Sequence, residues 1–223
     1  MTSSDSFFYA TWQSIRANIV PGLCLQAIAV LLLLLFYFAP GSQGFFQIFA
    51  GLKIQYGRVY AILATALFGG LIPFIYLWAS GGITGHKGKE LGFYVLFWAW
   101  RGWEIDVFYT AQGVLFGNAP TVSVIATKVL VDQLIYSALW AAPVAAICYA
   151  WKNAGFSLSR LRAGLNRSFF MRQLPTVIIS NWLVWFPACA MIYTLPAALQ
   201  VPMFNLVLCF WVLMLAVLNR RRT

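Results

Sequence analysis

Lys128, Asp132 and Tyr136 recur at four-residue spacing, with Gln133 and Ser137 beside them, so a helix would carry them on one polar face. The surrounding run is apolar, which leaves two readings of that face. It lines the mouth of a pore, or Lys128 and Asp132 pair within the helix at the membrane edge and fix its depth. A second charged group is Arg101, Glu104 and Asp106. Arg101 and Glu104 are three apart and can pair, while Asp106 points to roughly the opposite face. This set would make a charged constriction or a proton step. Alternatively, it marks a helix lying partly in the membrane interface, where Trp98, Trp100 and Trp103 are also at home. Glu104 and Asp106 diverge, so paired-carboxylate glycoside hydrolysis is not credible.

Enzymatic chemistry finds little else to use. His86 is the single histidine and sits in a Gly/Lys loop, and no G-x-S-x-G, H-E-x-x-H or P-loop pattern occurs. The four cysteines, Cys24, Cys148, Cys189 and Cys209, lie inside apolar runs without C-x-x-C spacing. They read as small buried hydrophobes, neither a zinc site nor a disulfide framework. No cofactor and no metal is expected.

The elements that must position these residues are membrane helices. The 223 residues are 62% hydrophobic and 9% charged, with a mean hydropathy of +0.80. Soluble domains run near 45–50% apolar and about 25% charged, so composition alone places the chain in a bilayer. A net charge of +10 would suggest nucleic acid in a soluble protein, but here the basic residues fall between apolar runs and no nucleic-acid motif is present. They orient the chain and meet anionic lipid. The N-terminus fits neither a presequence nor a secretory signal, so the first apolar run is expected to be retained.

In order, spans are expected at 19–39, closed by Pro40-Gly41-Ser42, and at 59–79, where Ala66 and Gly70 form a small-x-x-x-small pair. A loop at 81–90 precedes a charged helix at 91–116, and a turn at 117–120 precedes a span at 122–150. Ala138, Ala142, Ala146 and Ala150 there form a ladder read as a helix-contact stripe. A basic loop covers 151–173. Two further apolar runs within 181–215 are joined through a segment punctuated by Pro196 and Pro202, and Asn181 and Asn205 are expected to bond across that hairpin. The ten Trp and ten Tyr read mainly as interfacial belts.

The closing stretch carries a specific resemblance. Asn181, Trp182, Val184, Trp185, Pro187, Tyr193, Pro196, Asn205, Leu206, Trp211 and Leu215 fall, with a one-residue gap, on the pattern N-W-x-V-W-P-P-x-Q-x-x-N-F-x-x-V-P, Arg, N-L-x-x-x-x-W-x-x-x-L-S. Upstream, Lys128-x-x-x-Asp132-Gln133 matches a basic residue followed by Asp-Gln. The chain thus resembles the Mpv-seventeen / twenty-two-kilodalton peroxisomal membrane protein family, firmly over 122–216, weakly over 58–121 and not before. In this resemblance Trp182, Trp185, Pro187, Pro196, Asn205 and Trp211 are the structural signature. Cys189, Ile192, Gln200 and Ala216 stand where the family has Gln, Asn, Arg and Ser. A conduit lined by the Asn181 helix would therefore be drier than usual. The resemblance implies a small channel or metabolite pore and brings no catalytic residues.

The resulting expectation is an all-α, multi-pass transmembrane helix bundle of six spans, a four-span family core plus additions. Residues 1–57 form an N-terminal tail, an extra helix and a loop, and 58–223 the family-like bundle. Six spans would set Arg16, Lys87, Lys89, Lys152, Arg160, Arg162, Arg167, Arg172, Arg220, Arg221 and Arg222 on one side. Lys53, Arg58 and Lys128 would face the other, a positive-inside bias with both ends cytoplasmic. A four-span chain remains the alternative. The expected function is a weakly selective channel for small solutes, lined by Lys128, Asp132, Gln133, Tyr136, Ser137, Asn181, Arg101, Glu104 and Asp106. The alternative is a non-transporting membrane scaffold that organises lipids or partner complexes. Expected partners are the bilayer, anionic lipids and small solutes, with a homo-oligomer left open and no nucleic acid. The expected location is a bacterial cytoplasmic membrane, or a mitochondrial inner or peroxisomal membrane in a eukaryote.

Overall fold

The computed structural model describes residues 3–83 and 85–220, with side chains placed for 19, 20, 22–83 and 85–214. Arg16, Arg220, Arg221 and Arg222 of the charge bias, and Leu215 and Ala216 of the closing pattern, lie outside those side chains. The described residues are all-helical, as hydrocarbon demands of a chain whose backbone groups must pair internally. The helices are α1 (Ser3–Phe38), α2 (Pro40–Ala79), α3 (Lys87–Phe116) and α4 (Val122–Asn153), then the short α5 (Leu158–Gly164), α6 (Phe169–Ile192) and α7 (Ala197–Arg220). Four stretches are long and apolar enough to cross a membrane: α2, α4, α6 and Ala197–Met214 of α7. The apolar part of α1, Gly22–Phe38, is shorter, and α3 carries Arg101, Glu104 and Asp106 in mid-helix.

Helix extends further than the apolar runs suggest. The expected loop before residue 59 is helical from Gln43, and the basic loop contains α5 and the first turn of α6. Side-chain caps make this possible. Ser157 Oγ accepts from the Arg160 amide, and Asn166 Oδ1 accepts from the Phe169 amide at 3.1 Å. At 1.5 Å per residue α2 would be about 60 Å long if straight, roughly twice the hydrocarbon thickness. It is not straight. Gly57 breaks it with φ 51° and ψ −119°, a backbone conformation that side-chain-bearing residues rarely adopt.

Helices α2 and α3 make the closest contact in the bundle. Ala61 and Thr65, both fully buried, meet Gly102, and Gly70 meets the Tyr94 carbonyl. Small residues let two backbones approach this way inside a membrane. The expected Ala66–Gly70 pair is part of the seam, but its centre lies one turn earlier. Helix α1 packs on α6 and α7, burying Leu25 and Ala29; Gln26 Nε2 donates to the Val184 carbonyl at 2.6 Å, and Tyr37 Oη to the Thr194 carbonyl at 2.8 Å. The core of the bundle is centred on Val184, Ala188, Val207 and Leu208.

Asn181 and Asn205 do not bond to each other. Asn181 Nδ2 donates to Ser137 Oγ of α4 at 3.0 Å, and Asn205 Oδ1 accepts from Thr65 Oγ1 of α2 at 2.8 Å. The two residues sit at different heights, about 18 and 13 Å from the α6–α7 turn, so each reaches a neighbouring helix instead. Thr65 and Asn205 are both at 0% exposure. Thr65→Val keeps the shape and removes the donor, so it should cost about 1–2 kcal/mol, near the upper end for such bonds in membranes. Chemical unfolding in mild detergent measures this; an unchanged midpoint would show that the bond is not worth its burial.

Two cysteines depart from expectation. Cys189 and Cys209 are buried, Cys148 is half-buried and Cys24 is exposed on α1. An apolar thiol on a lipid-facing surface needs no burial by protein.

Candidate functional site

The polar face of α4 is built on a wide turn. From Val131 to Ala141 the helix has π geometry, holding an extra residue per turn. Asp132, Gln133, Tyr136, Ser137 and Ala141 of that stretch border a cavity of about 700 Å³. Helices α3 and α4 meet at the turn after Phe116 and diverge away from it. Large side chains span the gap. Phe108 stacks on Tyr136 at 4.0 Å between centroids, and Trp98 Nε1 donates to Tyr149 Oη at 3.2 Å. Helices α6 and α7 close the other walls with Asn181, Trp185, Cys189, Phe204, Leu208 and Trp211.

The cavity runs from Gly82, Glu90, Lys152 and Asn153, at the end of the basic loops, down to Tyr109, Asp132 and Cys189. Along α3, Glu90 to Tyr109 is about 28 Å. Beyond that depth a polar network closes the bundle. Tyr193 Oη donates to Asp132 Oδ2 at 2.5 Å and accepts from Gln112 Nε2 at 2.7 Å. Gln133 Nε2 donates to Asp132 Oδ1 at 3.1 Å and to Cys189 Sγ at 3.3 Å. Lys128 Nζ donates to Asn118 Oδ1 at 3.0 Å and lies 5.7 Å from the Tyr193 ring centre.

The expected pairing of Lys128 with Asp132 is therefore not made. The helix widens just after Leu130, so the two residues no longer stack at α-helical spacing, and each finds a tertiary partner. Arg101 and Glu104 do pair, at 2.6 Å, and the Trp140 indole donates to the other Glu104 oxygen. Arg101 also lies 5.6 Å from the centre of the Tyr136 ring. Asp106 faces α2, where it holds Lys53 at 2.7 Å and Arg58 at 3.6 Å.

Of the nine candidate lining residues, Asp132, Gln133, Tyr136, Ser137, Asn181 and Arg101 border the cavity. Lys128, Glu104 and Asp106 are outside its lining. The signature residues divide between lining and support. Trp185 and Trp211 border the cavity, and the Trp182 indole donates at 2.8 Å to the Gln133 carbonyl in the wide turn. Pro187 lies within α6, and the Pro196 carbonyl accepts the Leu199 amide at 2.8 Å to start α7. The alanine ladder is not a contact stripe: Ala142 and Ala146 border the cavity.

Sequence reasoning missed Gln112, Asn118, Tyr109 and the role of Tyr193. The available signal was Gln112, one amide side chain inside an apolar run. No protein-family model, curated protein or solved structure matches the chain.

Proposed function

We propose that the protein is a gated membrane conduit for small solutes, with six crossings, both ends on the side of the basic loops, and kinship to the Mpv-seventeen / twenty-two-kilodalton peroxisomal family. One observation carries the reading. Asp132, Gln133 and Ser137 sit at membrane depth, bordering a large cavity rather than lipid or close-packed protein. Polar groups in membrane spans are costly and mark solute pathways by default. The cavity supplies an inner vestibule, and the Gln112–Tyr193–Asp132 and Lys128–Asn118 bonds close its far end. Helix α3 continues only about 10 Å from Tyr109 to Phe116, so a short rearrangement of that network would complete a path. A bacterial cytoplasmic membrane suits the excess of basic residues on the vestibule side.

Liposomes containing the purified chain should release entrapped small solutes faster than protein-free liposomes. Ala146→Trp, which places a large ring among the lining, should cut that release several-fold while the protein remains folded. Liposomes that hold solutes equally well with and without protein would remove the conduit and promote the scaffold reading.

A further inference from the structure

We infer that the cavity binds a small organic ammonium ion, with its N–H groups directed at Asp132 and the Gln133 amide oxygen and its hydrocarbon part against aromatic rings. This deepens the conduit reading, because the site is the same cavity.

The charges of the lining carry the first argument. Four charged residues border the cavity: Glu90, Arg101, Asp132 and Lys152. Glu90 and Lys152 pair with each other at 3.6 Å, and Arg101 is taken by Glu104 at 2.6 Å. Asp132 alone of the four has no cationic partner within ion-pair distance; its oxygens accept only from neutral Tyr193 and Gln133. The cation nearest along its own helix, Lys128, is turned to Asn118.

The second argument is the balance of donors and acceptors. Gln133 and Gln112 are 2% and 1% exposed, yet the Oε1 of each has no hydrogen-bond partner among the described residues. The deep end thus has carboxylate and amide oxygens to spare and its amide N–H groups already committed. A ligand rich in donors completes it, and a carboxylate or phosphate does not. A multivalent metal is a poor fit, since no three His, Cys, Asp or Glu side chains cluster among the described residues.

The third argument is the wall. Tyr109, Tyr136, Trp185 and Phe204 surround the deep end. Rings of this cavity and its floor already seat the protein's own cations. Arg101 lies over Tyr136, Lys152 over Tyr94 at 5.5 Å and Lys128 over Tyr193. Ring faces attract cations, most strongly where water is excluded, and they also bury an alkyl or aryl tail.

The test is equilibrium binding to the purified full chain in lipid nanodiscs, read by thermal shift and by the fluorescence of the lining tryptophans. Phenethylammonium should bind saturably, whereas phenethyl alcohol and phenylpropionate, of similar shape, should not. Tetramethylammonium, which has no N–H, should bind more weakly than n-butylammonium. Asp132→Asn should weaken phenethylammonium roughly tenfold or more. Should that variant fail to fold, Ala146→Trp decides: undiminished binding there overturns the inference, as would wild-type affinity in Asp132→Asn or equal affinity for the alcohol. Solute release without ammonium binding would overturn this inference and leave the conduit; binding without release would do the reverse.

Discussion

Gly102→Ala is expected to leave little folded protein. A methyl group at residue 102 would stand 2.4 Å from the Ala61 carbonyl oxygen and 2.8 Å from Thr65 Cβ and Oγ1. The first obstacle is backbone of the facing helix, which no side-chain rotation can clear. Overpacking usually costs about 1–3 kcal/mol, and a clash with a carbonyl in the tightest seam of the bundle belongs at or above the top of that range. Separating α2 and α3 would also disturb the Thr65–Asn205 bond beside it. Gly92→Ala on the same helix is the control, because nothing lies within 4 Å of its added methyl. That change should be neutral or slightly stabilising by helix propensity. Detergent-solubilised yield and thermal midpoint of the two variants give the comparison, and equal behaviour would mean that the α2–α3 seam is looser than described.

Asp106→Asn is the second large effect. Asp106 is 5% exposed and gathers Lys53 and Arg58 from the two sides of the Gly57 break. Removing its charge strands Lys53, whose side chain is only 16% exposed. Breaking a buried pair costs about 3–5 kcal/mol, and the largely exposed Arg58 lowers the expectation here to about 2–3 kcal/mol. Lys53→Met combined with Asp106→Leu should recover much of that loss, since no charge is then left uncompensated. If the single and double variants unfold at the same temperature, the cluster is solvated and the elbow is held by something else.

The all-helical membrane architecture was legible because it rests on composition and run length, which no tertiary contact can override. The Arg101–Glu104 pair was legible for a similar reason, being set by spacing within one α-helix. Lys128–Asp132 used the same logic and failed, because the spacing rule assumes an α-turn and the wide turn begins at Val131. Partners across helices were the least legible. Asn181 and Asn205 were visible as polar residues in apolar runs, but their choice of Ser137 and Thr65 depends on relative heights that only packing fixes. Half of the site could be read as a face. The other half, Gln112 with Tyr193, required knowing which helices enclose the cavity.

The wide turn of α4 also bears on how related chains should be compared. An extra residue per turn is what a one-residue insertion leaves behind when a helix absorbs it without breaking. Deleting one residue between Val131 and Ala141 would restore ordinary pitch and swing everything after it by about 100° around the axis. Ala142, Ala146 and Lys152 would then leave the cavity wall, while Lys128 would stay where it is. A homologue one residue shorter in this stretch would therefore be a chain with a differently lined interior, and the gap placed there in an alignment would mark a change of geometry.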